Sequence, residues 1–302
     1  MNEETKELLR KQRYQLVGEH SAVKLCHWLK ESIMRDRVCY KQKFYGIKSH
    51  RCLQMTPAVN WCTQKCLFCW RPTRFTEDVP KEVDAPKFII EKSIEAQRTL
   101  LSGYQGVLDQ LNRKKLEEAQ DPNNVAISLS GEPTCYPLLP ELLEEFERGG
   151  FTTFLVTNGT NPDIFREMGT LPWNLYLTIP APNEKIYERL CNPSISDGWD
   201  RINRTIDIFP SLDTRKVMRL TMTKGFNMCD PESYAKIIER GQPTYVEVKA
   251  YMYVGFSRQR LSIDNMPRHE EIRAFAESIS EHCSYSVVNE SEDSRVVLLS
   301  AK

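Results

Sequence analysis

Short apolar runs alternate with helix-like periodicity along most of the chain, from residue 55 to residue 281. Runs of five or six mostly apolar residues are typical of strands buried in a sheet. Such runs predict strands at residues 55–59, 125–129, 152–157, 175–179, 217–222 and 245–249. Six strands separated by helices indicate an α/β protein with a parallel sheet and right-handed crossovers.

The two ends of the chain depart from this alternation. Residues 3–16 and 21–36 have helical periodicity, which predicts an N-terminal helical extension. Residues 284–288 and 296–300 flank a polar turn, which predicts a C-terminal β-hairpin.

Charge is unevenly distributed along a chain whose formal net charge is zero. Residues 1–54 carry twelve Lys or Arg and six Asp or Glu, whereas residues 75–150 carry eight and fifteen. A basic segment can face nucleic acid, or it can be ordinary solvated helix surface. Since 302 residues suffice for one large α/β domain, we expect an extension over residues 1–54 and one structural unit over 55–302.

The chain contains ten cysteines and no pattern of a signal peptide, which argues against a secreted disulfide framework. No run approaches the 18 apolar residues of a membrane span. We therefore expect a cytoplasmic protein with no membrane partner. In a reducing compartment its thiols would be metal ligands, catalytic groups or core residues.

Three of these cysteines, Cys62, Cys66 and Cys69, follow the first predicted strand in the spacing C-x3-C-x2-C. Thiolates are the soft ligands that iron–sulfur clusters require. Three thiolates bind three corners of a [4Fe–4S] cube, so the fourth iron stays open to another ligand. The spacing differs from those of ferredoxins and zinc ribbons. The alternative is a structural zinc site in which His50 is the fourth ligand.

This stretch resembles the cysteine motif of the radical S-adenosylmethionine (AdoMet) superfamily, whose pattern Phe68 also fits. The resemblance implies that the open iron chelates AdoMet and that an electron from the cluster cleaves AdoMet to a 5′-deoxyadenosyl radical. It also implies the superfamily's partial (β/α)6 TIM-like barrel, to which the N-terminal extension and C-terminal hairpin would be added. The open side of such a barrel would admit a bulky substrate.

The ends of the next predicted strands carry the expected AdoMet contacts. Ser130, Gly131 and Glu132 match the superfamily's Gly-Gly-Glu-Pro element, with Ser130 in place of the first glycine. The resemblance implies that this element binds the methionine amine. Asn158 offers an amide donor and acceptor to the ribose, and Thr178 is a further candidate. For residues 130–132 and for Asn158, the alternative is a simple turn without a ligand.

A second set of cysteines, Cys26, Cys39 and Cys52, has the regular spacing C-x12-C-x12-C. Free cysteines are commonly buried core residues, and Cys26 lies on the apolar face of a predicted helix. Taken together, the three thiols would hold a second [4Fe–4S] cluster with one open iron. That iron could bind a second substrate as a Lewis acid.

The second set is part of a longer group of motifs that resembles one branch of the superfamily, the tRNA 4-demethylwyosine synthases. The other matching segments are residues 45–47, 49–52, 130–134, 181–184, 192–193, 198–199, 247–255, 257–258 and 263–267. The resemblance covers nearly the whole chain and follows the stand-alone archaeal form, which lacks the flavodoxin-like domain of eukaryotic members. It therefore implies an external, flavodoxin- or ferredoxin-like electron donor.

The resemblance also implies a specific reaction, that of a lyase acting on tRNA. The substrate would be N1-methylguanosine at position 37, in the anticodon loop of phenylalanine tRNA. The deoxyadenosyl radical would abstract hydrogen from the N1-methyl group, and the resulting carbon radical would add to pyruvate. Loss of the pyruvate carboxyl group and ring closure would give the tricyclic 4-demethylwyosine, with pyruvate held at the second cluster.

A lysine beside the second cysteine set suits this use of pyruvate. Lys41 lies two residues after Cys39. A lysine amine condenses with a ketone when desolvation or neighbouring positive charge lowers its pKa. Lys43 and Lys48 are alternatives in the same segment, and a cluster-bound pyruvate would need no lysine at all.

Aromatic and cationic side chains alternate after the sixth predicted strand, where Tyr253, Arg258 and Arg260 occur. Splayed bases of an anticodon loop are held by aromatic stacking and phosphate contacts. We therefore expect these residues to bind RNA, although core aromatics and solvated arginines would give the same pattern.

Two other functions fit parts of the sequence. A radical AdoMet activase would place a glycyl radical on a partner protein and would use the second thiol set as an electron relay. A zinc-stabilised RNA-binding module would use the thiols only structurally. Compact C-x2-C spacings, which are usual in electron relays, do not occur in the second set.

Overall fold

The computed structural model describes residues 1–302, apart from the side chains of residues 105, 107 and 108. The chain divides into two units. The first unit comprises Met1–Cys62, Phe75–Val156 and Glu167–Trp173, and the second comprises Thr63–Arg74, Thr157–Arg166 and Asn174–Lys302. The expected division into residues 1–54 and 55–302 stays a prediction.

The first unit is built on five strands, with parallel pairing in the middle and antiparallel pairing at the N-terminal edge. Its elements are α1 (Glu3–Lys11), β1 (Gln15–Val17), β2 (Ser21–Val23), α2 (His27–Arg35), α3 (Tyr40–Tyr45), β3 (Cys52–Thr56), α4 (Pro86–Ser102), α5 (Arg113–Ala119), β4 (Asn124–Ile127), α6 (Leu139–Arg148) and β5 (Thr152–Thr157), whose last residue belongs to the second unit. Strands β3, β4 and β5 are parallel, with Met55 opposite Ile127 and Ile127 opposite Leu155. Strand β2 pairs antiparallel with both β1 and β3.

The N-terminal segment is less helical than its periodicity predicts. Helix α1 ends at Lys11, and α2 begins only at His27. Between them lies the hairpin β1–β2. Arg13, with a φ of 63°, lies between α1 and β1, and Gly18, with a φ of 54°, lies in the turn of the hairpin. Strands of three residues are too short for an alternating pattern to be recognised, so no sequence pattern indicates this hairpin.

The helices of the first unit share a core that extends to the second cysteine set. Leu29 and Ile33 of α2 pack with Leu101 of α4 and with two residues of α5. Cys26 is partly buried and packs against this cluster. The expected apolar neighbourhood of Cys26 is therefore present. Cys26 immediately precedes α2 and is partly exposed.

The second unit also has five strands. Its elements are α7 (Ile164–Glu167), whose last residue belongs to the first unit, β6 (Asn174–Ile179), α8 (Glu184–Cys191), α9 (Gly198–Ile208), β7 (Arg215–Met222), α10 (Pro231–Gly241), β8 (Tyr245–Ala250), α11 (His269–Ser280), β9 (Tyr285–Ser291) and β10 (Val296–Ala301). Strands β6, β7 and β8 are parallel. The C-terminal hairpin β9–β10 is confirmed, and β10 continues the sheet antiparallel to β8.

All six predicted barrel strands occur, with bounds that move by at most three residues. A 3-10 turn at Gln105–Gln110 precedes α5. Within the part of the chain that the structure describes, no helix is long and apolar enough to cross a membrane.

Candidate active site

The C-x3-C-x2-C motif follows β3 along the chain. Cys62 is the last residue of a segment of the first unit, whereas Cys66 and Cys69 lie in Thr63–Arg74 of the second, here called the cysteine loop. Cys66 is buried, and Cys62 and Cys69 are partly exposed. Three thiols on one short stretch of chain have the donor chemistry of a [4Fe–4S] cluster.

The cysteine loop is held along the C-terminal end of α8. The backbone N–H groups of Lys65 and Leu67 donate to the carbonyls of Cys191 and Leu190, at 2.9 Å each. The thiol of Cys191 hydrogen-bonds to Cys66 and, together with burial, raises the pKa of Cys66. Sequence reasoning did not single out Cys191; its position just before the matched segment at residues 192–193 was the available signal.

Arg260 also contacts the cysteine loop, although the sequence grouped it with the RNA-binding candidates. Its guanidinium donates to the carbonyls of Leu67 (3.2 Å), Cys69 and Arg71 (3.5 Å), and lies 3.5 Å from the hydroxyl of Thr73. The side chain is partly buried. This placement supports a role at the cysteine loop, and RNA binding by Arg260 stays a prediction.

Tyr253 and Arg258 are placed differently from Arg260. The guanidinium of Arg258 lies 5.4 Å from the ring centroid of Tyr253, within the range of a cation–π contact. Arg258 is exposed, and so are the neighbouring side chains of Met252 and Val254. An aromatic ring and a guanidinium at an apolar, exposed surface suit the stacking of unpaired bases, so RNA binding by these two residues stays a prediction.

Residues 130–132 pack against the chain that leads into Cys62. The hydroxyl of Thr56 donates to the carbonyl of Ser130 (2.6 Å), and the hydroxyl of Ser130 donates to the carbonyl of Val59 (2.8 Å). The backbone N–H of Glu132 donates to the carbonyl of Trp61 at 2.7 Å. The segment thus fixes the residue just before Cys62, in addition to the AdoMet contact that the sequence predicts for it.

Gly131 permits this close approach, and its replacement by alanine is expected to be strongly destabilising. Gly131 has a φ of 71°, and a Cβ there would lie 1.7 Å from the carbonyl oxygen of Ala58. Gly150 is the matched control, because its φ is 73° and a Cβ would meet nothing within 4 Å. We expect Gly150→Ala to cost about 1 kcal/mol through left-handed strain alone, and Gly131→Ala about 3 kcal/mol or more. Equal melting temperatures of the two variants would contradict this prediction.

Asn158, the candidate ribose contact, is bonded to the start of the cysteine loop. Its side-chain N–H donates to the hydroxyl of Thr63 at 3.1 Å, and its amide oxygen accepts from the backbone and hydroxyl of Thr160 at 3.0 and 2.7 Å. Thr178, near the end of β6, is partly buried and lies opposite Arg219 of β7. AdoMet binding by these two residues stays a prediction.

His50, the candidate ligand of the zinc alternative, is engaged elsewhere. It is buried, and its Nε2 lies 2.7 Å from a carboxylate oxygen of Glu118. Burial is the main cause that lowers the pKa of His50, and the hydrogen bond to Glu118 opposes it. Among the residues that the structure describes, no group of three or more His, Cys, Asp or Glu side chains is arranged to hold a metal ion.

The second cysteine set lies entirely in the first unit. Cys26 and Cys39 immediately precede α2 and α3, and Cys52 opens β3. Burial raises the pKa of Cys52, the neighbouring Cys26 and Cys39 add to this effect, and Lys41 opposes it. Cys26 and Cys52 are 26 residues apart in sequence, with Cys39 midway between them. The fold therefore brings these three thiols and Lys41 within electrostatic reach of each other.

The backbone at Cys39 is fixed by Ser49, a residue of the matched segment 49–52. The hydroxyl oxygen of Ser49 accepts from the N–H of Cys39 at 2.8 Å and donates to the side chain of Gln42 at 2.8 Å. The N–H groups at the first turns of α2 and α3 favour negative charge, which suits thiolate ligands. The second set thus has the donor type of an iron–sulfur cluster, and binding of a cluster by these three thiols stays a prediction.

The three lysines of this segment have different environments. Lys41 is partly buried, and its Nζ lies 4.3 Å from the ring centroid of Phe154. Lys43 and Lys48 are exposed, and Nζ of Lys48 lies 3.6 Å from the carboxylate of Glu118. Lys41 is therefore the one of the three that faces both an apolar ring and the second cysteine set.

Two family models match consecutive parts of the chain. The model described as the radical SAM superfamily matches residues 56–238, and the model for wyosine base formation matches residues 240–301. A relative from Pyrococcus abyssi, named S-adenosyl-L-methionine-dependent tRNA 4-demethylwyosine synthase, is 54% identical over 305 residues, which cover 99% of this chain and 89% of the relative. The chain belongs to the tRNA 4-demethylwyosine synthase family.

Solved structures of the family have the same fold as this chain. A structure of TYW1 with a lysine-pyruvate adduct bound is 42% identical, with a TM-score of 0.91 over 100% of this chain and 96% of that chain. The crystal structure of archaeal TYW1 is 38% identical, with a TM-score of 0.83 over the same shares.

Membership of the family confirms the predicted fold class, the partial (β/α)6 TIM-like barrel of the radical AdoMet superfamily with an N-terminal extension and a C-terminal hairpin. It also implies AdoMet and one [4Fe–4S] cluster as cofactors. The alternatives of an activase and of a zinc-stabilised RNA-binding module gain no support from the relatives.

Proposed function

We propose that the chain is a tRNA 4-demethylwyosine synthase, a lyase that condenses N1-methylguanosine at position 37 of phenylalanine tRNA with pyruvate. The observation that carries this proposal is the 54% identity to the Pyrococcus abyssi synthase along 99% of the chain. The wyosine-formation model over residues 240–301 supports it independently of the cysteine motif.

The cofactors of this reaction would be held by residues already described. Cys62, Cys66 and Cys69 would hold the first cluster, and the AdoMet contacts would come from Ser130, Gly131, Glu132, Asn158 and Thr178. When bound, this cluster and AdoMet would supply the 5′-deoxyadenosyl radical that abstracts hydrogen from the N1-methyl group. Cys26, Cys39 and Cys52 would hold the second cluster, whose open iron would offer pyruvate a Lewis-acid site.

The chain's own catalytic residue would be Lys41. Its free amine would attack the keto carbon of pyruvate, and loss of one water would give an imine that fixes the acceptor carbons. The placement of Lys41, partly buried beside Phe154 and close to the second cysteine set, supports this role. A lysine–pyruvate adduct in a structure 42% identical to this chain supports the chemistry.

Synthesis of labelled nucleoside tests the proposed function directly. The cluster-loaded protein, AdoMet, a chemical reductant and [2,3-¹³C]pyruvate are incubated with tRNA that carries either N1-methylguanosine or guanosine at position 37. We expect the methylated tRNA alone to gain a tricyclic nucleoside with both labelled carbons, and [1-¹³C]pyruvate to leave no label. AdoMet cleavage without label in either tRNA would contradict the proposal and would favour the activase.

Binding of tRNA is expected to weaken steeply with salt, because phosphate contacts release counterions. Tyr253→Ala and Arg258→Ala should each weaken binding about fivefold to a hundredfold, by about 1–3 kcal/mol, as loss of a stacked base would. Arg273→Ala is a control, since that arginine is bonded to Glu277 and Glu290. Fluorescence anisotropy measures the tRNA affinity of the parent protein and of the three variants between low and moderate salt. A tRNA affinity of the parent protein that does not change with salt concentration would contradict phosphate contacts at the proposed RNA-binding surface.

We propose a flavodoxin- or ferredoxin-like protein as the donor of the electron that AdoMet cleavage requires. The cytoplasmic location stays a prediction.

A further inference from the structure

The segment that contains Arg260 runs alongside the cysteine loop and contacts it at two places besides the guanidinium. The backbone N–H of Phe256 donates to the carbonyl of Trp70 at 3.0 Å. Gly255, with a φ of 59°, lies so close that a Cβ there would be 2.6 Å from the same carbonyl oxygen. These contacts fix the start of the segment, so Arg260 reaches the loop from a defined position.

The guanidinium of Arg260 contacts the loop on both sides of Cys69. Leu67 lies before Cys69, Arg71 and Thr73 lie after it, and the carbonyl of Cys69 itself is an acceptor. Arginine has five N–H donors in one rigid plane, so a single side chain can bind several carbonyls in a fixed geometry. Lysine, with one ammonium group, cannot reproduce that pattern.

The guanidinium also brings positive charge to a candidate cluster ligand, because the carbonyl of Cys69 accepts directly from it. The guanidinium of arginine remains protonated in proteins, so this charge is permanent. A second guanidinium, that of Arg71, is buried within the loop and donates to the carbonyl of Gln64 at 3.2 Å.

We propose that Arg260 is a positioning residue of the first cluster: it fixes the cysteine loop and stabilises the reduced cluster with its positive charge. Reduction adds one electron to the cluster, and the guanidinium favours that extra negative charge by Coulomb attraction in a partly buried site. Charge and hydrogen bonds around the ligands are general determinants of cluster potentials. The inference rests on the proposed function, since it requires a cluster at Cys62, Cys66 and Cys69.

A redox titration of the cluster-loaded protein tests this inference with three variants. Arg260→Gln removes the charge and most donors, and Arg260→Lys keeps the charge but not the planar set of donors. Arg240→Gln is the matched control, because Arg240 also donates to a backbone carbonyl of the second unit, that of Asn203 at 3.3 Å. The signal of the first cluster in electron paramagnetic resonance is recognised by its change when AdoMet is added.

We expect Arg260→Gln to lower the reduced-to-oxidised ratio at a fixed potential about tenfold, which equals about 59 mV for one electron. Arg260→Lys should keep the potential but bind AdoMet more weakly, and Arg240→Gln should match the parent protein in both. A glutamine variant whose potential equals that of the control would overturn the inference.

Loss of iron from Arg260→Gln would also be informative. If its melting temperature equals that of Arg240→Gln and the lysine variant retains iron, the positioning role is supported. If both Arg260 variants melt early and lose iron, Arg260 is a general structural residue and the inference is wrong. A parent protein that takes up no iron would overturn the inference together with the proposed function, whereas a normal cluster insensitive to Arg260 would overturn the inference alone.

Discussion

Replacement of Cys62, Cys66 and Cys69 together by alanine is expected to remove half of the bound iron and to abolish AdoMet cleavage. These thiols are the proposed ligands of the cluster that binds AdoMet, and no electron can reach the cofactor without it. Iron and sulfide are quantified after anaerobic reconstitution, and cleavage is followed as 5′-deoxyadenosine. The matched control replaces Cys135, Cys229 and Cys283, which lie outside both sets, and should keep all of the iron.

The same substitution at Cys26, Cys39 and Cys52 should also remove half of the iron, but AdoMet cleavage should continue without coupling to pyruvate. The two sets are separate in sequence, so each loss should leave the other cluster in place. Unchanged iron in this second variant would mean that the three thiols are core residues. The proposal of a second cluster would then be wrong.

Loss of Lys41 is expected to have the second large effect. Lys41→Ala should reduce formation of 4-demethylwyosine about a thousandfold, equivalent to about 4 kcal/mol of transition-state stabilisation. The iron content and tRNA affinity should be unchanged, because Lys41 is neither a thiol nor part of the proposed RNA surface. Lys43→Ala and Lys48→Ala are the controls, since both side chains are exposed.

Borohydride trapping separates the proposed imine from simpler roles of Lys41. Reduction in the presence of labelled pyruvate should fix the label on the peptide that contains Lys41 and leave none in Lys41→Ala. Label on Lys43 or Lys48 would transfer the catalytic role to that residue. An active Lys41→Ala variant without label would exclude an imine and would leave iron chelation as the anchor of pyruvate.

The six barrel strands could be predicted from the sequence, but the direction of single side chains could not. Apolar runs such as residues 125–129 indicate burial, which is a property of a whole strand. Arg258 and Arg260 are two residues apart in one short 3-10 turn and its end, so they point differently, one at Tyr253 and one at the cysteine loop. Both residues are arginines in the same short segment, so residue type does not distinguish them. Only their contacts in the folded chain do.

The partial burial of Lys41 likewise could not be predicted from the sequence. Residues 41 and 43 are separated by about 200° around a helix, so α3 exposes one lysine and partly buries the other. Which of the two is buried depends on Phe154 of β5, more than a hundred residues away. A contact at that separation leaves no local pattern. The cysteine motifs were recognisable because their spacing is local.

The two thiol sets differ in how much of the chain must fold before they can receive iron. Cys62 and Cys69 are seven residues apart, whereas Cys26 and Cys52 are 26 apart and are brought together by the starts of α2, α3 and β3. Closing the longer loop in an unfolded chain costs only about 1 kcal/mol more, but fixing its three sulfurs requires the packed first unit. During maturation we therefore expect the first set to bind iron early and the second set only after the first unit has folded. Protein that receives iron before folding is complete would then contain only half of its iron.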